Sequence, residues 1–192
     1  MTSLINHPAI KTVLATETDI QAQVQRVANE LTAKFVDNVK RPVFIAVLKG
    51  GVIFATDLLR KMPLDVDFDF IDVKSYSGAT STGQVKVVHD VSMDLTDRDV
   101  VIVDEIIDSG RTMQWLQNYF ELKGAASVTT VALADKKAAR VVDFDVDYFG
   151  LDVPDEFLVG YGMDYNNFFR NLPVIAIIDF DKLDLIKWKS NA

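Results

Sequence analysis

The stretch VVIVDEIIDSGRTM, Val100 to Met113, constrains the chain more than any other. Val100 to Val103 is an unbroken apolar, β-branched run, which suits a strand buried on both faces of a parallel sheet. Two acids follow, Asp104 and Glu105, then two isoleucines, and then Asp108, Ser109, Gly110, Arg111 and Thr112 open a helix. Asp108, Ser109, Gly110 and Thr112 are residue types that present backbone N–H groups and hydroxyls at a helix N-terminus, where anions bind. An open α/β sheet offers its ligands a place at this C-terminal end of its strands. Acids beside an anion cradle are odd unless they hold hydroxyls or a metal ion. The simplest ligand meeting both demands is a sugar phosphate with magnesium nearby. A strand ending in acids also suits the acid pocket of a receiver domain, but that pocket belongs near the start of a receiver, not at residue 104 of 192.

Strands and helices alternate around this stretch. Ile20, Val24, Val27, Leu31, Phe35 and Val39 fall near helical spacing, so a helix is expected over 16–39, capped by Thr16 with Asp19 or by Thr18 with Gln21. Pro42 stops it, and PVFIAVL reads as a buried strand ending in a glycine-rich turn, Leu48 to Gly51; a helix then runs from about Val52 to Lys61. Val66 to Tyr76 alternates as a long strand with one wetter face, Ser77 to Gln84 has the composition of a mobile loop, and VKVVHD returns as a strand. A helix over 112–123 ends at Gly124, and further strands are expected at 127–134, 148–153 and 174–178. The tail from Phe180 to Trp188 suits a short strand or a helix equally. This order predicts the α/β class: one domain over residues 1–192, with a central, mostly parallel sheet flanked by helices and a flexible two-stranded arm.

Composition narrows the function. With 49% hydrophobic residues the chain can bury a sizeable core, and a net charge of −8 disfavours nucleic acid and anionic membranes as partners. The absence of cysteine excludes disulfides, thiolate metal sites and cysteine nucleophiles. The N-terminus lacks the basic and apolar regions of a signal peptide, and no apolar run reaches membrane-spanning length, so a soluble, cytoplasmic protein is expected. His7 and His89 stand outside every motif.

VDEIIDSGRTM resembles the phosphoribosyl-pyrophosphate (PRPP) signature of the type I phosphoribosyltransferases. LKGG, KSY with an STG-containing loop, the lysine of ADK, and PDEFLVGYGMDYNNFFRNLP then follow the order of the hypoxanthine-guanine phosphoribosyltransferases, a match from about residue 43 to 178. The last segment is the most specific, since purine-salvage members carry it and most other phosphoribosyltransferases do not. The resemblance implies the type I fold with a small hood, and a magnesium (Mg2+)-dependent salvage enzyme making IMP or GMP and pyrophosphate from PRPP and a 6-oxopurine. Homodimers or homotetramers are usual in the family.

The same resemblance implies roles for individual residues. Asp108 sits against N7 of the purine as general base, its plainer reading being an N-cap of the helix. Asp104 and Glu105 hold the ribose hydroxyls and magnesium; their Asp-Glu order reverses the family's commoner Glu-Asp, keeping both charges but changing reach by one methylene. Asp108, Ser109, Gly110, Arg111 and Thr112 wrap the 5′-phosphate. Lys49 and Gly50 bind pyrophosphate, and the peptide before this lysine can be cis in the family. Lys136, rather than the adjacent Lys137, donates to the exocyclic O6 and so rejects adenine. Phe157 stacks on the base and Leu158, where the family often has valine, offers backbone groups to its edge. Asp164 lies by the purine and coordinates magnesium bound to pyrophosphate, and Arg170 clamps the pyrophosphate; an Asp164–Arg170 surface pair is the plainer reading. Ser75 and Tyr76 begin the flexible loop that closes over PRPP. A xanthine-preferring relative is the alternative within enzymes. A PRPP-sensing regulator on the same fold is the alternative outside them, requiring either a DNA-binding domain, for which about 40 residues before the first expected strand leave little room, or a basic RNA face.

Overall fold

The computed structural model describes residues 4–75 and 85–186. Twelve regular elements follow one another as β1 (Ile10–Ala15), α1 (Glu17–Phe35), β2 (Val43–Leu48), α2 (Gly51–Lys61), β3 (Asp67–Ser75), β4 (Val85–His89), β5 (Asp99–Ile107), α3 (Arg111–Leu122), β6 (Ser127–Asp135), β7 (Tyr148–Asp152), β8 (Leu158–Val159) and β9 (Ile175–Ile178), with short 3-10 turns before, between and after them.

The expected central strand is β5, and it lies in the middle of a six-stranded sheet of order β4-β3-β2-β5-β6-β7. Its neighbours β2 and β6 run parallel to it, as do β3 and β7 to theirs; β4 alone is antiparallel, at one edge. Side chains alternate across a strand, so Val101 and Val103 pack with α1 and α2 on one face, while Val100 and Ile102 pack with α3 on the other. That two-sided burial is why the run is apolar at every position. β3 and β4 make the expected two-stranded arm, with Ser75 paired to Val85 at its outer end. Residues 76–84, with Tyr76 and the expected mobile loop Ser77 to Gln84 among them, lie outside the described residues.

Of the two caps open to α1, the Thr16 one forms: Thr16 Oγ1 accepts from the Asp19 N–H, and Asp19 returns the bond to the Thr16 N–H at 2.9 Å. The helix stops at Phe35, short of Val39, which is fully exposed. Asn38 explains the early end. Its N–H turns back to the Phe35 carbonyl and its side chain donates to Asp99 at 2.7 Å, so a local turn replaces the last helical bonds.

A second, antiparallel sheet of order β1-β9-β8 forms the small hood. The expected strand at 174–178 is β9, but its partners were not expected. β1 buries only its last residue well and pairs irregularly with a strand 160 or more positions away, so its sequence carries no local alternation. β8 spans only Leu158 and Val159. The tail is a 3-10 turn, Phe180–Leu185, capped by the Asp179 carboxylate. No helix among the described residues is long and apolar enough to cross a membrane.

Candidate active site

The C-terminal end of β5 opens onto two hollows. One, of about 120 Å³, is lined by Asp104, Ile106, Asp108, Ser109, Gly110 and Thr112 among others. Gly110, not Asp108, caps α3, at φ 81°, a conformation a Cβ strains; a Cβ there would also meet Arg140 and Val142 at 3.1 Å. The first turn of α3 has no side-chain cap, and the Arg111 N–H finds only the Ser109 hydroxyl at a long 3.5 Å. Free N–H groups, two hydroxyls and a helix N-terminus give this hollow the chemistry of an anion site. Arg111 itself is exposed.

The second hollow, of about 190 Å³, brings together Glu105, Asp108, Lys136, Phe157, Leu158 and Asp164 with Ile106 and Met163. Asp108 lines both hollows, its carboxyl 60% exposed and 3.6 Å from the Lys136 ammonium. Lys136 is only 7% exposed. Lys137 points elsewhere, over the Phe149 ring at 4.9 Å and towards Asp152 at 3.8 Å. Phe157, at 40% exposure, keeps one face open, while Tyr165 and Phe180 meet it edge-on at 5.9 and 5.6 Å.

Lys49, Gly50 and Arg170 line neither hollow; Gly50 borders the second through Glu105 and Arg170 through Asp164. The Leu48–Lys49 peptide is cis. Lys49 is exposed and Gly50 buried; a Cβ on Gly50 would lie 2.0 Å from Glu105 Oε1 and 2.6 Å from the Gly162 carbonyl. The LKGG turn, the GYG turn and Glu105 therefore meet at one point where side chains are excluded. Arg170 donates to the Gly162 carbonyl and pairs with Asp164, whose other oxygen accepts from the Asn167 N–H at 2.6 Å. Both partners are partly shielded, so the ion pair braces the GYG turn beside the second hollow.

Burial first, and then the neighbouring Glu105 charge, hold the Asp104 carboxyl well above the usual carboxylate range. A buried carboxyl with a second acid beside it suits a cation. Among the described residues no group of three or more acids and histidines could hold a metal by itself. The donor set matches a hard cation that takes its remaining ligands from phosphate and water, which is how magnesium is usually held.

A family model of the phosphoribosyl transferase domain matches residues 16–166. The chain belongs to the phosphoribosyltransferase family. It is 41% identical over 170 residues to a hypoxanthine-guanine phosphoribosyltransferase of Streptococcus agalactiae, covering 88% of this chain and 93% of that one. It is also 42% identical over 173 residues to the bifunctional protein TilS/HprT of Listeria innocua, covering 90% of this chain but only 26% of the larger protein, so it spans about a quarter of those relatives. A hypoxanthine phosphoribosyltransferase of Staphylococcus aureus superposes with a TM-score of 0.87 at 34% identity, covering 93% and 97% of the two chains. The Trypanosoma cruzi hypoxanthine phosphoribosyltransferase in complex with the product IMP gives 0.86 at 32%, covering 92% and 98%.

Two groups that support this phosphoribosyltransferase site gave no signal in the sequence. Asp57 on α2 accepts from the Tyr161 hydroxyl and from Gln21 of α1 at 3.0 Å, tying the GYG turn to both helices. Burial and that carboxylate push the Tyr161 phenol well above its ordinary range. Arg140 and Asp135, beneath the Asp108 loop, form the other group. Neither follows from periodicity or spacing, because each joins residues far apart in the chain.

Proposed function

We propose that this chain, as one domain over residues 1–192, transfers the phosphoribosyl group of PRPP to hypoxanthine or guanine, giving IMP or GMP and pyrophosphate. The observation that carries the reading is the second hollow, where a carboxyl, a buried lysine and an open aromatic face converge beside an anion-type helix N-terminus. The 5′-phosphate occupies the α3 hollow, bound by Ser109, Gly110, Arg111 and Thr112 with the loop at Asp108. The purine lies on Phe157 with its O6 accepting from Lys136, a bond adenine's amino group cannot accept, and with its edge on the backbone at Leu158.

The attacking base nitrogen forms its bond to the anomeric carbon as the bond to pyrophosphate breaks, and the purine proton passes to Asp108 at N7. A carboxylate near that carbon also favours the positive charge developing there. Asp104 and Glu105 orient the ribose hydroxyls, while Lys49, Gly50 and Arg170 hold the departing pyrophosphate. Asp164, Asp104 and Glu105 are the residues that would hold magnesium, each together with phosphate oxygens rather than as one three-acid cage, and the ion would supply charge neutralisation. Ser75, the last residue of β3, and Tyr76, which follows it in sequence, are assigned the covering of PRPP and the exclusion of water. We place the enzyme in the cytoplasm, as a homodimer or homotetramer, an assembly that sedimentation would count.

Initial rates with PRPP and magnesium, offering hypoxanthine, guanine, xanthine, adenine and uracil separately, test the reading. Turnover of hypoxanthine or guanine that EDTA abolishes is the expected result. No turnover of any base by a protein that still binds PRPP overturns it in favour of a regulator.

A further inference from the structure

We infer that Arg140, anchored by Asp135, is a positioning residue that sets the spacing of Asp108 and Lys136 and thereby the discrimination between 6-oxo and 6-amino purines. The inference rests on the roles proposed above for those two residues. β5 and β6 run in parallel register up to the rung Ile107–Asp135. Asp108 and Lys136 are the next residue on each strand, so they stand just beyond the ladder that would fix their separation. Arg140 takes over there. Its Nη1 donates to the carbonyls of Ile107, at 3.0 Å, and Asp108; its Nε donates to the Phe144 carbonyl at 3.1 Å; its Nη2 donates to Asp135. The Ile107 carbonyl also accepts from the Lys136 N–H at 2.9 Å, so one oxygen joins both catalytic segments to the guanidinium.

Asp135 is 1% exposed, and its other oxygen has no partner among the described residues. A buried carboxylate so placed orients the guanidinium plane, and the planar fork matches a spread of acceptors that an ammonium cannot satisfy. A plain structural ion pair would need only Asp135. Here three of the four acceptors are main-chain carbonyls, and the loop from Ile107 to Asp108 supplies two of them.

The test is calorimetric binding of GMP and of AMP to the full chain, its Arg140→Lys variant, and the neutral double variant Asp135→Asn with Arg140→Gln. Stoichiometry counts folded sites and affinity reports their geometry. Arg140→Lys keeps a charge against Asp135 and should bind GMP with full stoichiometry, yet its GMP-over-AMP affinity ratio should fall about tenfold, within the range that small misplacements at a site produce. If Arg140→Lys loses stoichiometry, the double variant is read in the same way. An unchanged ratio in a variant with full stoichiometry overturns the inference, whereas a parent that binds GMP and AMP alike overturns the base-recognition reading and the inference with it.

Discussion

Lys136→Met removes the ammonium from the second hollow while keeping most of the side chain's volume, which isolates the purine contact from packing. Lys136 is 7% exposed, so in a bound complex the bond to O6 forms away from competing water. A hydrogen bond from a charged donor contributes about 1.5–3 kcal/mol, which translates into a loss of roughly 10- to 150-fold in kcat/KM for hypoxanthine and guanine. The stability side is small. The partner carboxyl of Asp108 is 60% exposed and 3.6 Å away, so their ion pair contributes under about 1 kcal/mol, a Tm change of at most about 4 °C in a domain of this size. Steady-state kinetics in both substrates, run beside thermal melts, should therefore show purine kcat/KM collapsing while the KM for PRPP and the melt hold. Lys137→Met, which removes only an exposed contact to Phe149 and Asp152, should leave all three unchanged. A folded Lys136→Met that keeps hypoxanthine kcat/KM within about twofold of the parent would refute the assignment, since even the weakest charged hydrogen bond exceeds that.

Asp108→Asn should lower turnover by about 10²- to 10⁴-fold while leaving PRPP binding nearly intact, because the loop's N–H groups survive; unchanged turnover removes the general-base role. Gly50→Ala meets no backbone strain, at φ −72°, but its Cβ would land 2.0 Å from Glu105 Oε1 and 2.6 Å from the Gly162 carbonyl, so it should cost about 1–3 kcal/mol in denaturant unfolding and raise the KM for PRPP. A silent Gly50→Ala would mean that the GYG turn yields freely. Asp104→Asn should melt above the parent at pH 7, since the folded state holds the Asp104 proton more tightly than the unfolded chain and ionisation therefore penalises folding. That advantage should shrink as pH falls towards the unfolded pKa near 4, where both states are protonated, and activity should drop; a variant no more stable at pH 7 than at pH 4 contradicts the cause given for the shift.

Where a residue's environment is set by near neighbours in sequence, the chain could be read directly. β5 announced itself because burial on both faces forbids polar residues along Val100–Val103, and the start of α1 could be narrowed to two caps, Thr16 with Asp19 or Thr18 with Gln21, because a capping box is a local pair, the Thr16 one being the one that forms. The end of α1 was overrun because Val39 keeps the helical spacing while Asn38 has already turned the chain. β1 and β8 were not visible at all: each is a strand because β9 pairs with it, and neither has enough buried positions to pattern its own sequence. The hollows divide in the same way. Asp104 to Thr112 could be seen as one cradle because they are contiguous, and Lys136, Phe157 and Asp164 could be attached to it only through family resemblance. Arg140 had neither advantage, since its partners are mostly carbonyls, which every residue possesses.

The reversed acid pair shows how a local change is absorbed. Asp104 lines the hollow at α3 and Glu105 the hollow with Lys136 and Phe157, yet the two carboxyls stay close enough for the Glu105 charge to hold the Asp104 carboxyl up. The longer side chain thus falls on the side facing the LKGG and GYG turns, where its carboxylate overlies Gly50 close to the Gly162 carbonyl. Gly162 adopts φ 105° and has its own Cβ position blocked by the Gly50 carbonyl at 2.5 Å, so the two turns interlock through their lack of side chains. The shorter acid stays against Gly51, whose Cβ would fall 3.4 Å from Asp104 Oδ1 and 2.7 Å from the Val103 carbonyl. Bare backbone at 50, 51 and 162 is therefore what lets both carboxylates sit within this tight junction.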